Sequence, residues 1–417
     1  MINNDNLLSV QGALEKIKNA IRPIQDIEII QIDSCLNRIL SEDVFSPIPL
    51  PPFKSSAMDG FALKESDWVN NADKEFSIIG RSLAGHPFEG AVKKNHCIRI
   101  FTGAKIPEEC DLIILQEQID SLKESKVSFL DHNPSETFVR PIGHDIARDT
   151  IIATKGQRID PILLARLSAS GIHKIRAFRK PSIGVFSSGD ELVSAKTKLK
   201  ELKDGQIFES NRPFLLSSLA SFGVKVIDYG NIPDSKNLTT KYLTKASKTC
   251  DLIITSGGVS VGDADFITET ISEVGSLNFW RLNLKPGKPL AFGEINGCRI
   301  LGLPGNPVST IITTLLIANP LIEHMSGGIP KTPLKLKATC KQAIAHSAGR
   351  TEYQRGKYVN QEDGSLIVNQ QGDQSSNRLS SFAGSNCLIE IPDSEGDILP
   401  GAQVTIIPLS NLGFLEQ

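Results

Sequence analysis

Apolar residues recur along the first part of this chain at the spacing of an amphipathic helix. The stripe steps by three or four residues through Leu7, Val10, Leu14, Ile17 and Ile21. That period predicts a helix, and Pro23 ends it. A strand is predicted at 27–32 and a short helix from Asp33, after which four prolines between positions 47 and 52 exclude regular structure.

Between about residues 76 and 139 the apolar runs are short, and no helical period separates them. Strands are predicted at 76–79, 97–101, 112–115 and 127–130. The pattern predicts a β-rich domain, inserted at about 46–146 into an N-terminal unit that covers residues 1–178. A helix at 161–169 and a strand at 172–178 complete that unit.

After Pro181 strands and helices alternate, which is typical of a parallel sheet with crossover helices. Strands are predicted at 183–186, 224–229, 252–255, 290–292 and 299–301, and helices at 211–222, 237–248, 264–273 and 308–323. This predicts a doubly wound α/β domain over residues 179–326. Short strands return at 334–338, 366–368, 387–391 and 404–407. They predict a small C-terminal β-barrel-like domain over 327–417, so the fold class is α/β plus β in a multidomain chain.

Composition excludes several classes of protein. The 417 residues include 45 basic and 47 acidic side chains, a formal net charge of −2, so no overall field attracts nucleic acid or an anionic membrane. The longest apolar run, 311–322, is shorter than the roughly 18 residues that span a bilayer, and we expect a cytoplasmic protein. Seven cysteines without a CxxC pair favour buried thiols over a zinc site.

Loops of unusual composition follow four of the predicted strands. They lie at 187–191, 232–234, 256–262 and 302–307. Ligands bind beyond the carboxyl ends of the strands in open α/β sheets, so these loops are expected at one rim. Two are rich in glycine and precede helices, where bare N–H groups can hold a phosphate. Neither has the ending of a P-loop or a GxGxxG fingerprint, which argues against an ATPase or a dinucleotide-dependent dehydrogenase.

Charged residues cluster in the same loops. The carboxylates in or just after them are Asp190, Glu191, Asp234, Asp263 and Asp265. Carboxylates beside a phosphate require a hard cation such as Mg²⁺ between them, unless one of them acts as a base. Lys285 and Lys288 are held three residues apart by rigid neighbours, and both can face one anion.

A competing motif lies in one of these loops. Residues 258–262 match GxSxG, the nucleophile elbow of α/β-hydrolases, between a predicted strand and a predicted helix. A serine hydrolase would use Ser260 with His324 or His346. Asp263 and Asp265 crowd the next helical turn and no His-Gly-Gly loop is present, which argues against this alternative.

Nine motifs follow one another along the chain: SAMDGFA at 56–62, RIFTGA at 99–104, VRPIGHDI at 139–146, SGDEL at 188–192, SNR at 210–212, SGGVSVG at 256–262, KPGKP at 285–289, GLPGNP at 302–307 and the run from Gly349-Arg350 to Arg355-Gly356. In this order they resemble the MoeA family of molybdopterin molybdenumtransferases, which is similar to the E domain of gephyrin. The chain departs from the family pattern at Lys54-Ser55 (usually Asp-Asn), Phe61 (usually Tyr) and Ser188 (usually Thr). The Lys54 change reverses a charge near Asp59.

The resemblance implies a Mg²⁺-dependent reaction in which adenylylated molybdopterin and molybdate give molybdenum cofactor and AMP. It also implies a homodimer whose site lies between the central domain of one subunit and the N-terminal domain of its mate. A molybdopterin adenylyltransferase would deliver the substrate, and apo-molybdoenzymes or their chaperones would receive the cofactor. Nucleic acid and membranes are not expected as partners. A non-catalytic scaffold that binds molybdopterin stays an alternative.

The loops and the resemblance together give the expected site residues. Expected to act in catalysis are Asp59, Thr102, Asp145, Glu191 and Asp234, of which Asp59, Glu191 and Asp234 are also the candidate Mg²⁺ ligands. Expected to bind substrate are Ser188, Gly189, Ser256, Gly257, Gly258, Ser260, Gly262, Asp265, Lys285, Lys288, Pro304, Gly305, Asn306, Pro307, Arg355 and Ser376.

Overall fold

The computed structural model of the protein describes residues 7–131, 134–259, 266–329 and 332–410. The apolar stripe at the start of the chain forms the helix Val10–Ala20, which Ser9 caps by accepting a hydrogen bond from the Gly12 amide. Its buried face, which includes Ile17, packs into the same core as Leu321 of the central region. The helix therefore fastens the N-terminal region to the central one.

Two small antiparallel sheets form the body of the N-terminal region. Strand Ile27–Gln31 pairs with Lys174–Phe178, and Val44–Phe45 pairs with Ile151–Ala153. The helix Pro161–Ala169 agrees with the prediction at both ends, and Asp160 caps it by accepting from the Leu163 amide at 2.7 Å. Leu163 and Leu167 pack into the apolar core of this region.

A six-stranded sheet is inserted between those strands, as predicted. In spatial order its strands are Leu112–Leu115, Gly60–Leu63, His96–Ile100, Glu75–Ser82, Lys126–Phe129 and Ile119–Lys123; beside it lie the pair Ser55–Ser56 and Val139–Arg140 and the helix Glu65–Asn70. The sequence pattern missed Gly60–Leu63 because all four residues are buried and show no alternation. Gly60 is required there, since a Cβ would stand 2.1 Å from the Ile114 carbonyl oxygen.

The central region is the expected doubly wound sheet. Its strands are ordered Lys225–Ile232, Ser182–Ser188, Leu252–Ser256, Cys298–Leu303, Ala291–Ile295 and Ser276–Trp280, and its helices are Asn211–Ala220, Lys236–Ala246, Phe266–Val274 and Pro307–Met325. The first four strands are parallel. The last two are antiparallel to their neighbours, so the parallel direction expected for the strand at 290–292 is wrong, and Ser276–Trp280 was not predicted.

The reversal has a local cause in an Asn-Gly turn. Asn296 and Gly297 have φ of 52° and 81°, and they join Ile295 directly to Cys298 across a two-residue hairpin. Ala291 therefore pairs with Gly302, near the carboxyl end of Cys298–Leu303, the last of the four parallel strands. As a result the lysine-bearing loop 285–289 reaches the same rim as the glycine-rich loops.

The last helix of the central region, Pro307–Met325, is longer than the apolar run that the sequence displays. Among the described residues it alone is long and apolar enough to cross a membrane. However, 78% of its most apolar 18-residue stretch is buried inside the protein. A π-helical segment, Thr314–Ala318, precedes Pro320, which lacks the N–H that a regular ladder requires. The burial identifies this helix as the core of the central region.

Five strands close the C-terminal region into the predicted barrel. They run in the order Thr351–Asn360, Leu366–Gln370, Leu336–Cys340, Gln403–Pro408 and Cys387–Ile391, and the last pairs with the first. The sequence pattern missed Thr351–Asn360 because several of its buried residues, among them Glu352 and Arg355, are polar. A short strand of the central region, Leu284–Lys285, adds to its edge in parallel.

Candidate functional site

A cleft of about 580 Å³ opens at the rim where the parallel strands of the central sheet end. The four loops that the sequence predicted to share this rim all contribute to it. Of the expected site residues it brings together Ser188, Gly189, Glu191, Asp234, Ser256, Gly257, Gly258, Pro304, Gly305, Asn306 and Pro307. It is also lined by Leu192, Ile207, Phe208, Glu209, Ser210, Asn211, Val259, Pro289, Ser309 and Asn377, none of which was among them.

Glycine is required where two of these loops press together. Gly257 has φ of 92°, and a Cβ there would stand 2.7 Å from the Ser188 carbonyl oxygen. Gly258 has φ of 71°, and a Cβ would stand 2.6 Å from Cγ1 of Ile267. Both backbones are left-handed and both sites are sterically closed to a side chain. The wall of the cleft is therefore bare peptide, which lets an anion approach backbone N–H groups.

One amide side chain joins two of the loops. Nδ2 of Asn211 donates to Oγ of Ser256 and to the carbonyl oxygen of Gly305, both at 2.7 Å. The loops after strands Leu252–Ser256 and Cys298–Leu303 are thus held at a fixed distance. Asn211 was missed as a site residue, although it belongs to the SNR motif that the sequence displays.

Two helices begin at the cleft without a side-chain cap, and in the second of them the Val308 amide donates to the Ser376 carbonyl oxygen at 3.1 Å. Ser210 and Asn306 stand at the N-cap positions of the helices that begin at Asn211 and Pro307, and neither side chain caps its helix. Asn306 donates instead to Oγ of Ser376 at 3.0 Å. Uncapped helix starts carry partial positive charge, so both favour a negatively charged ligand.

The acidic loops at the rim hold each other. The Asp190 amide donates to Oδ2 of Asp234 at 3.3 Å, and the Asp234 amide donates to Oδ1 of Asp190 at 3.1 Å. Ser188, at the position where the family usually has Thr, donates to Oδ1 of Asp234 at 3.5 Å. Glu191 makes no ion pair within the described ranges, and its carboxylate folds against Gly189. Glu191 and Asp234 are the carboxylates of the expected site that line the cleft.

The remaining expected catalytic residues lie outside this cleft. The amide and Oγ1 of Thr102 donate to Oδ1 of Asp59 at 2.7 and 2.8 Å. These bonds lower the pKa of the Asp59 carboxyl, and the charge of Arg99, rather than that of Lys54, adds to the effect. Asp145 is exposed in a turn of the N-terminal half, where its amide donates to the Leu50 carbonyl oxygen.

The three expected Mg²⁺ ligands do not all lie in the cleft. Across 7–131, 134–259, 266–329 and 332–410, no three His, Cys, Asp or Glu side chains form a group that could hold a metal. Glu191 and Asp234 share the cleft, whereas Asp59 lies in the β-rich region. Two carboxylates together with ligand phosphates are nevertheless a usual donor set for Mg²⁺.

The expected cationic residues take different positions. Nζ of Lys285 pairs with Glu352 of the barrel, and Lys288 makes no side-chain bond within the described residues. Arg355 is fully buried, and desolvation lowers its pKa to about 10. It donates to the carbonyl oxygens of Asp373 and Ser375, and so holds the segment that brings Ser376 to Asn306.

Ser260, Gly262 and Asp265 lie outside the described residues. The two histidines proposed as partners of Ser260 are engaged elsewhere. Nε2 of His324 lies 3.2 Å from the Ile21 carbonyl oxygen, and Nδ1 of His346 lies 2.7 Å from Glu352. No histidine is found among the described residues that line the cleft, which removes the support for a serine hydrolase.

Three family profiles match successive parts of the chain. The first is described as the MoeA N-terminal region (domain I and II) and matches residues 8–171. The second, "Probable molybdopterin binding domain", matches residues 184–324, which include the cleft. The third is the MoeA C-terminal region (domain IV), at residues 337–409.

Individual proteins match over nearly the full length. The chain is 36% identical to a molybdopterin molybdenumtransferase of Haemophilus influenzae, over 97% of this chain and 100% of that one. It is 30% identical to gephyrin of Dictyostelium discoideum, over 97% of this chain and 63% of that protein. The crystal structure of a molybdopterin biosynthesis MoeA protein from Pyrococcus horikoshii superimposes with a TM-score of 0.80 at 27% identity, covering 97% of this chain and all of that one.

Proposed function

Because the chain belongs to the MoeA family of molybdopterin molybdenumtransferases, we propose that its cleft converts adenylylated molybdopterin and molybdate into molybdenum cofactor and AMP. The observation that carries this assignment to the site is the convergence of bare glycine loops and two uncapped helix starts in one cleft. Such a surface suits a ligand with several phosphate charges, since N–H groups from separate elements can each meet a different oxygen.

The cleft residues divide into a binding and a reacting group. Backbone N–H groups of Gly258 and Gly305 bind the phosphates, and Asn211 keeps the two loops at the spacing that the ligand requires. Glu191 and Asp234 stand at the edge of the cleft as proton acceptors for the displacement that releases AMP. Lys288 supplies positive charge for molybdate, a tetrahedral dianion.

Mg²⁺ is proposed as the cofactor on the chemistry of this donor set. Glu191 and Asp234 would hold it together with phosphate oxygens of the substrate, and it would offset charge that develops on the leaving phosphate. Without a cation, two carboxylates beside a phosphate would repel it. Chelation of Mg²⁺ is therefore expected to abolish turnover and to weaken binding of the adenylylated substrate.

A homodimer would bring Asp59, Thr102 and Asp145 to the cleft of the partner chain. The N-terminal region exposes apolar side chains on both of its small sheets, with 66% of Ile29 and 51% of Phe45 accessible. These two side chains border a hollow of about 560 Å³. An apolar surface of this kind suits an isologous contact between two copies.

The proposed setting follows from the reaction. We place the protein in the cytoplasm, where a molybdopterin adenylyltransferase would supply the substrate. Apo-molybdoenzymes or their chaperones would receive the product.

Reconstitution tests the proposed function. Purified protein is incubated with adenylylated molybdopterin, molybdate and Mg²⁺, and the product is scored by activation of an apo-molybdoenzyme and by AMP release. The expected result is cofactor formation that requires all three additions. Binding of the adenylylated substrate without release of AMP would contradict the assignment and indicate a scaffold.

A further inference from the structure

Lys285, at the start of the loop 285–289, is tied to the barrel by an ion pair. Its Nζ lies 3.1 Å from Oε1 and 3.2 Å from Oε2 of Glu352, so one ammonium meets both carboxylate oxygens. The Lys285 side chain is 43% exposed, whereas that of Glu352 is only 4% exposed. A carboxylate buried this deeply requires positive charge and N–H donors around it, so the pair is more constrained than one at the surface.

A buried histidine holds the other side of Glu352. Nδ1 of His346 lies 2.7 Å from Oε2 of Glu352, and the His346 side chain is fully enclosed. Because the carboxylate beside Lys285 only accepts hydrogen bonds, Nδ1 carries the hydrogen and donates it. Nε2 of His346 has no partner in the part of the chain that the structure describes. The single bond from Nδ1 therefore sets the direction in which Glu352 faces Lys285.

The backbone of the loop 285–289 connects the ion pair of Lys285 and Glu352 to the cleft. Lys285 pairs with Glu352 in the short parallel strand at the barrel edge. Gly287 follows with φ of 123°, and a Cβ there would stand 2.8 Å from Cγ2 of Thr313, so the loop is packed closely against the core helix. Pro289, at the end of the loop, lines the cleft.

We propose that Glu352 and His346 are positioning residues: they orient Lys285 and so direct the loop 285–289, with Lys288, toward an oxyanion bound in the cleft. The inference rests on the proposed function only for the identity of that oxyanion, a phosphate of the adenylylated substrate or molybdate. The barrel then supports one wall of the site, although Glu352 and His346 themselves are buried.

Charge and geometry predict opposite effects at Glu352. Removing a carboxylate near an anion site raises the local positive charge, which by itself tightens anion binding. Releasing Lys285 from its partner lets the loop move, which weakens the same binding. The direction of change in substrate affinity therefore separates a positioning residue from a bystander charge.

The test uses Glu352→Gln, which keeps the shape of the side chain, and Lys285→Met, alone and together. The matched control is Glu390→Gln, since Glu390 also pairs with a lysine, Lys335, and accepts from a second side chain, Tyr353, but Lys335 does not belong to the loop that reaches the cleft. For each protein, the Kd of adenylylated molybdopterin is measured by equilibrium binding, and KM and kcat are measured by reconstitution. Thermal unfolding monitors the fold.

We expect Glu352→Gln and Lys285→Met each to raise Kd and KM about tenfold, as loss of one charge-assisted contact does, and the double variant to be no worse than the worse single variant. Glu390→Gln should leave Kd and KM unchanged. Glu352→Asp, which keeps the charge, should raise Kd less, and it decides the question if the glutamine variant does not fold. A lower Kd in Glu352→Gln, or effects that add in the double variant, would overturn the inference.

The binding measurement separates this inference from the proposed function. Wild-type protein that binds the substrate but releases no AMP would refute the transferase assignment, while Kd still decides the role of Glu352. If the wild-type protein is active and Glu352→Gln has the same Kd and KM as Glu390→Gln, only the positioning role is refuted.

Discussion

The central rim and the β-rich region both carry residues expected to act in the reaction, but they are built on different principles. At the rim, backbone groups face the cleft, and glycines are required because side chains would collide with neighbouring loops. In the β-rich region a side-chain pair, Asp59 with Thr102, is exposed and does not line that cleft. The difference teaches that the residues expected of one site can be divided between two surfaces, which assembly of two chains would then unite.

The strongest test of this separation mixes two inactive variants. Asp59→Asn and Glu191→Gln are each expected to lose about a hundredfold or more in cofactor formation, the usual loss for an acid–base group. If the two residues act across subunits, a heterodimer of the variants has one intact site and one site with both changes. Equal random mixing makes half of the dimers heterodimers with one of two sites active, or about a quarter of wild-type activity.

The same mixture also has an outcome that contradicts the shared site. Co-expressed variants that stay as inactive as either one alone would show that Asp59 and Glu191 act within one chain. Sedimentation of the mixture establishes that heterodimers are present. Phe45→Asp, which places charge on the exposed apolar surface, is the control that should abolish both dimer and complementation.

A smaller effect is expected from closing the wall of the cleft. Gly257→Ala places a methyl group 2.7 Å from the Ser188 carbonyl oxygen at φ of 92°, and such strain costs about 1–3 kcal/mol. We expect lower thermal stability and weaker binding of adenylylated molybdopterin. Gly205→Ala is the matched control, because φ is 81° but nothing lies within 4 Å of the added methyl group. Equal binding by the two variants would show that close approach at Gly257 is not required.

The sequence predicted which loops share the rim, but not the buried contacts that hold those loops in place. The alternation of strands and helices was enough to place the glycine loops together, because parallel strands end at one edge. The strand Ala291–Ile295 was predicted, at 290–292, but its reversed direction was missed even though Asn296-Gly297 signals a hairpin, since the crossover pattern around it suggested a parallel strand. Burial of Arg355 in the barrel depends on contacts between distant segments, which no local pattern contains.

Next in size is the effect of removing the amide that joins the two loops. Asn211→Ala deletes two hydrogen bonds of 2.7 Å, to Ser256 and to Gly305, each worth about 1 kcal/mol. We expect KM for the adenylylated substrate to rise about tenfold, with a modest change in kcat. Asn70→Ala removes a single bond on an exposed helix and should change neither parameter. A fall in kcat at unchanged KM would assign Asn211 to the chemistry instead.

The smallest effect is expected in the β-rich region, and it concerns pH. The amide and hydroxyl of Thr102 lower the pKa of Asp59, so the ionised form is favoured and its stabilising contribution is lost only as pH falls through that lowered value. Thr102→Val removes the hydroxyl donor but keeps the amide, so the pKa of Asp59 should rise toward its ordinary value and the acid limb of the activity profile should move to higher pH. Thr102→Ser keeps both donors and should leave the limb in place. If Asp59 contributes only structure, both variants will share the wild-type profile, and the reacting carboxylate must then be sought at the rim.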